Sequence, residues 1–119
     1  MSRSSSKSVQ SPLNPEAAEL IARRFRALAD PTRLRILDHL RNTDEASVGE
    51  ITEMLGASQQ NVSKHLGLML REGVVSRSKD GNYARYAIAD DAIFGLCEMV
   101  CGTLRQQIAE LDSVLKDAA

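Results

Sequence analysis

Apolar residues recur along this chain at two rhythms, and each change of rhythm marks a boundary between elements. Leu20, Ile21, Phe25 and Leu28 fall at helical spacing after Asn14-Pro15-Glu16. That opening combines an N-cap residue, proline at the first helical position and an acid near the positive helix end. Asp30-Pro31 repeats the signal and starts a second helix, whose Leu34, Ile36, Leu37 and Leu40 run to about Arg41. "NTDEA" then reads as a polar loop. Ser47-Val48-Gly49-Glu50 matches a capping box, so a short third helix is expected to reach Leu55 with Ile51, Met54 and Leu55 inward. Gly56-Ala57 makes a tight connection, after which Ser58 caps a fourth helix backed by Val62, Leu66, Met69 and Leu70 and stopped at Gly73. Two β-rich runs follow, Val74–Lys79 and Tyr83–Ile88, on either side of Asp80-Gly81-Asn82, which is a hairpin signal. Asp90 or Asp91 then caps a long last helix. Its stripe at Ile93, Cys97, Val100, Leu104, Ile108, Leu111 and Leu115 is shaped like a coiled-coil seam but is too short to sustain one alone.

The fourth helix has an unusual front. Between its apolar positions stand Gln59, Gln60, Asn61, Ser63, Lys64 and His65, nearly all hydrogen-bond donors, and no carboxylate appears before Glu72. A merely solvated face usually mixes Glu with Lys, and this one does not. A short helix, a glycine turn and a helix of this kind make a helix-turn-helix, and the ribbon after it makes the winged version. In such a unit the second helix lies in the DNA major groove, where Gln matches adenine, Lys can reach guanine, and Ser serves bases or phosphates. The expected fold is mainly α, of the α+β kind: a winged helix-turn-helix of five helices with a two-stranded β-hairpin wing.

Charge sharpens this picture only when read locally. The formal net charge is −1, yet residues 58–88 carry five basic and two acidic side chains while residues 89–119 carry two and six. Such asymmetry guides binding more than net charge does. At 119 residues the chain is one domain, and a core this small is often completed by pairing. Residues 1–13 read as a disordered, Ser-rich arm without the apolar stretch of a signal peptide, and residues 14–119 as the DNA-binding and dimerisation domain. No apolar run approaches the length of a membrane span. Two cysteines and no export signal point to the reducing cytoplasm, where structural disulfides are rare.

"FRALADPTRLRILDHL", "SVGEITEMLGASQQNVSKHLGLMLREGVV" and "RSKDGNYARYAI" together resemble the ArsR/SmtB family of bacterial winged-helix repressors, over residues 16 to about 110. The resemblance implies a homodimer paired through its first and last helices, binding to a double-stranded operator, and control by a metal, metalloid or redox signal. Carried across by position, it makes Ser58, Gln59, Gln60, Ser63 and Lys64 the groove-reading residues, with His65 close by. The wing would offer Lys79, Asn82 and Arg85 to the DNA backbone or minor groove.

The departures from the family bear on the signal. Many metal-sensing members carry a cysteine-rich motif on the third helix, where this chain reads "SVGEITEM". Others hold zinc with histidines of the last helix, and residues 90–119 contain none. What remains is Cys97 and Cys101, four apart on one face of the last helix. They are candidates for a thiophilic metal or metalloid ion or for reversible oxidation. The competing reading is that both fill the apolar stripe, since free cysteine packs as a small hydrophobe. Arg23, Arg24 and Arg26 read either as flanking-DNA contacts or as a solvated face. His39 reads as a charge partner at a helix end or a surface residue rather than a ligand, His65 as a phosphate contact or as packing behind its helix, and Met54 and Met69 as core. Three rival functions stay in view: a constitutive regulator whose sensor is absent, a winged-helix module that binds protein, and a thiol oxidoreductase. The last finds no Cys-x-x-Cys, phosphate-cradling glycine loop or nucleophile–base pair to support it.

Overall fold

A computed structural model of the chain describes residues 13–89 and 91–118. The arm expected over residues 1–13 lies outside this range except for Leu13, and so does Asp90. The described elements are α1 (Pro15–Leu28), α2 (Pro31–Thr43), β1 (Ala46–Ser47), α3 (Val48–Leu55), α4 (Gln59–Arg71), β2 (Val75–Asp80), β3 (Tyr83–Ile88) and α5 (Asp91–Ala118).

Four helix starts are held by the caps the sequence announces. Asn14 accepts from the Ala17 N–H at 2.8 Å and Asp30 from the Arg33 N–H at 3.0 Å. Ser58 accepts from the Asn61 N–H at 3.1 Å. At α3 the capping box closes in both directions, with Glu50 N–H donating to Ser47 Oγ and Ser47 N–H to Glu50 Oε1. Each such cap satisfies an N–H that the helix itself cannot, a contribution of about 1 kcal/mol. The α4 helix ends in a Schellman turn: Gly73 N–H donates to Leu70 O and Val74 N–H to Met69 O. Gly73 takes the left-handed φ of 74° that this turn requires.

The core gathers Ile36, Leu37 and Leu40 of α2, Ile51 of α3, Val62, Leu66 and Met69 of α4, and Val74 and Val75 at the root of the wing. Met54, expected inward, is exposed: two turns of α3 offer one deep position, Ile51, and Met54 falls to its edge. The helix α2 runs past Arg41 to Thr43, because Asn42 Nδ2 and Thr43 Oγ1 donate to the carbonyls of Asp38 and His39.

The sheet has three strands, in the order β1-β3-β2, where the sequence predicts a two-stranded ribbon. Ala46 pairs with Tyr86 and Ser47 with Arg85, so part of the expected "NTDEA" loop becomes an edge strand. Two residues are too few to show an alternating pattern, so this strand has no sequence signature. It joins the central strand of the wing to the start of α3.

Candidate nucleic-acid interface

The helix-turn-helix is α3 and α4, joined through Gly56 in left-handed conformation. Val62, Leu66 and Met69 are fully buried, which turns the opposite face of α4 outward. Ser58, Gln59, Gln60, Asn61, Ser63 and Lys64 are all exposed on that side. The first four surround the positive end of the helix, where free N–H groups favour a phosphate. Ser58 is partly committed already, since its Oγ caps α4. Gln59, Gln60, Ser63 and Lys64 have no such task among the bonds described above and extend from one rigid element.

His65 stands apart from them. Its side chain is 17% exposed, with Nδ1 4.0 Å from Asp30 Oδ2. Arg33 Nη1 lies 3.2 Å from the same nitrogen. The Arg33 backbone N–H, and then the positive charges of Arg33 and His65, hold the Asp30 carboxyl below the ordinary aspartate value.

The wing divides its charges between two faces. Cross-strand partners share a face, so the Lys79–Ala84 and Arg77–Tyr86 pairs lie on one side and the Ser78–Arg85 pair on the other. Lys79 and Asn82 are exposed toward the tip. Arg85, grouped with them from sequence, is engaged instead: Nε donates to Glu45 Oε1 at 2.9 Å and Nη1 lies 3.4 Å from Glu50 Oε1. The Glu45 hydrogen bond, followed by the charge of Glu50, raises the Arg85 pKa further. Arg85 therefore clamps the wing to the α3 capping box. The two glutamates that take it up were visible in "EASVGE", but only β1 pairing brings them beside β3.

Other side chains acquire partners that no local pattern announces. Arg24 Nε donates to Glu72 O at 2.7 Å and Arg23 pairs with the Glu72 carboxylate, so the first helix grips the end of α4. Arg26 turns back to Glu19 on its own helix. Tyr83, not singled out from sequence, is strongly exposed beside the wing turn.

Cys97 and Cys101 are free thiols on α5, the first buried and the second partly so. They line an apolar cavity of about 290 Å³ with Phe25, Leu28, Leu34 and Leu104 among its walls. Burial, and then the neighbouring Cys101, push the Cys97 thiol pKa up, against the pull of Arg41. Among the described residues no three His, Cys, Asp or Glu side chains converge as a metal site. One chain offers two thiols, the donor number of a linear soft-metal site and fewer than a three- or four-coordinate one requires.

A helix-turn-helix domain family matches residues 28–77. The chain is 38% identical over 91 residues to a probable mercury resistance operon repressor of Streptomyces lividans, covering 76% of this chain and 72% of that one. It is 37% identical over 100 residues to the uncharacterized HTH-type transcriptional regulator Rv0081 of Mycobacterium tuberculosis, covering 83% and 87%. The crystal structure of Rv0081 superposes with a TM-score of 0.69 over 82% of this chain and 97% of that one, at 34% identity. A Mycobacterium bovis protein, described as a homodimeric winged helix-turn-helix DNA-binding domain and a possible ArsR-family transcriptional regulator, gives a TM-score of 0.73 at 26% identity. That match covers 86% of this chain and 95% of its own. Among the described residues no helix is long and apolar enough to cross a membrane.

Proposed function

This chain belongs to the ArsR-type helix-turn-helix transcriptional regulators, a family of DNA-binding proteins and not of enzymes, and from that premise we propose that it is a homodimeric repressor of an operator. In this reading Gln59, Gln60, Ser63 and Lys64 meet base edges, Ser58 and the α4 N-terminus meet phosphate, and Lys79 and Asn82 reach the backbone or minor groove. Arg85 and His65 are assigned to holding the wing and α4. The carrying observation is the front of α4, exposed and free of carboxylates over a fully buried back.

The dimer in this reading pairs α1 and α5. Phe25 and Leu20 on α1, and Leu104, Ile108, Leu111, Val114 and Leu115 on α5, are exposed in the single chain. Contiguous apolar surface of that extent marks an association site, and a second copy is the occupant that the homodimeric relative suggests.

The test is selection of duplexes from a random library by the wild-type protein, followed by binding of Gln60→Ala to the selected site and to random DNA. A loss on the order of 1–3 kcal/mol on the selected site alone is the expected result. Equal losses on both would remove Gln60 from base reading.

Control of the repressor is assigned to Cys97 and Cys101, through a thiophilic metal or metalloid or through oxidation. Arsenite or an oxidant should then release the wild type and leave a Cys97→Ser, Cys101→Ser double variant bound. One observation favours a second reading, a constitutive regulator: Cys97 is 6% exposed within the core cluster, the placement of a packing residue. Retention of both the wild type and the double variant under either agent would decide for it, whereas equal release of both would return the cysteines to the core and place the sensor elsewhere.

A further inference from the structure

Of the fourteen residues of α1, only Ala27 and Leu28 are buried in the core. Two small apolar contacts resist separation but not rotation, so they cannot by themselves set the angle between α1 and α4. Directional bonds do that. Arg24 Nε donates to the Glu72 carbonyl at the C-terminal end of α4. Gly73 makes room for it: a β-carbon there would stand 3.1 Å from Arg24 Nη2. A turn of chain away, Arg33 caps the other side of the junction. Its Nε and Nη2 donate to the carbonyls of Ala27 and Arg26, at the end of α1. Its Nη1 reaches His65 Nδ1, in the middle of α4.

We propose that Arg24 and Arg33 are positioning residues for operator reading, fastening α4 to α1 at two points and so fixing how far apart the two recognition helices of the dimer stand. The inference rests on the proposed dimer, in which α1 belongs to the seam. A dimer reads two half-sites about one helical turn apart, so a rigid link between seam and recognition helix becomes a spacing requirement on the DNA. The Arg24 link is exposed, and exposed links of this kind contribute little to stability. Its consequence is geometrical.

The experiment uses the full chain and a duplex selected from a random library by the wild type. Affinity is measured for that duplex, for versions with one or two base pairs inserted between the half-sites, and for random DNA. Wild type is expected to lose about tenfold or more on insertion, because one recognition helix then misses its bases. Arg24→Met should bind the native spacing more weakly and lose only about threefold or less on insertion, with random-DNA affinity and salt dependence unchanged. Glu72→Gln keeps the carbonyl that Arg24 binds and should retain the full wild-type penalty. Arg33→Met should relax spacing as Arg24→Met does; if it fails to fold, the exposed Arg24 variant decides alone.

A full insertion penalty in folded Arg24→Met overturns the proposal. So does an equal loss on random DNA with a shallower salt dependence, which would make Arg24 a phosphate contact. A wild type that enriches no sequence with paired half-sites would instead sink the operator reading itself, and this inference with it.

Discussion

Replacing Ile108 by Asp separates association from folding, because in the single chain this residue does almost nothing. Among the described residues of α5 only Ile93 and Cys97 are buried, and Ile108 lies three turns beyond Cys97 with 59% of its surface exposed. In a monomer the substitution should change stability by no more than about 0.5 kcal/mol, as exposed positions generally do. In a dimer sealed through α5 the same residue is covered. Full burial of an isoleucine contributes about 1.5–3 kcal/mol, so covering its exposed part is worth about 1–2 kcal/mol per chain. Two-fold symmetry places the change on both sides of the interface, giving about 2–4 kcal/mol from lost apolar contact alone. That corresponds to a weakening of about 30- to 1,000-fold in the dimer dissociation constant, before the carboxylate's desolvation is added. Sedimentation velocity over a range of protein concentrations reads the dissociation constant, and a melt followed by circular dichroism reads the fold. The expected result is a folded monomer that has lost operator binding. A dimer of wild-type affinity would place the seam elsewhere, and an unfolded chain would mean that the fold itself depends on pairing.

Lys79 and Arg85, two of the three wing cations, should behave oppositely. Lys79→Ala is expected to weaken binding to every duplex and reduce the salt slope by about one, as loss of one phosphate contact does. Arg85→Ala should leave that slope alone and lower the melting temperature, since it releases Glu45 and Glu50 from the base of the wing; a reduced slope for Arg85→Ala would return it to the DNA contacts. Iodoacetamide should label Cys101 well before Cys97 in the native protein, because only the thiolate reacts and burial holds Cys97 protonated; mass mapping of the first adduct on Cys97 would contradict the structure. Acid should destabilise the fold through three carboxylates held below their ordinary values. Partial burial raises Asp38, but hydrogen bonds from Arg41 and Arg105 outweigh it; the Ser47 N–H lowers Glu50, and the Arg33 N–H lowers Asp30. Their contribution is complete above the ordinary values of 3.8 and 4.5 and is lost as pH falls through the depressed ones, so the melting temperature should be level near neutrality and drop below about 4.5. A melting temperature unchanged down to pH 3 would show that these pairs contribute nothing.

The sequence by itself determined where helices begin and which faces they bury. Asn14, Asp30, Ser47 and Ser58 each bond a backbone N–H three residues on, and the stripes of α2 and α4 repeat every three or four residues. Signals of that range are complete within one turn of chain, and so they can be read in order. The exposed front of α4 followed from the same logic, since a buried back leaves the intervening residues outside. Tertiary structure alone decided which distant partner several long charged side chains take. Arg85 finds Glu45 forty residues away, Arg24 finds the carbonyl of Glu72, and Arg33 finds His65. A guanidinium can satisfy itself with any acceptor within reach, and reach is set by how elements pack, not by spacing along the chain. The same holds for β1, whose two residues become a strand only because β3 lies beside them, and for Met54, which an eight-residue helix cannot turn inward together with Ile51. On α5 one uninterrupted stripe divides after Cys97 into a part the core buries and a part left exposed, because the helix runs on past the core, even though Arg105 still reaches back to Asp38.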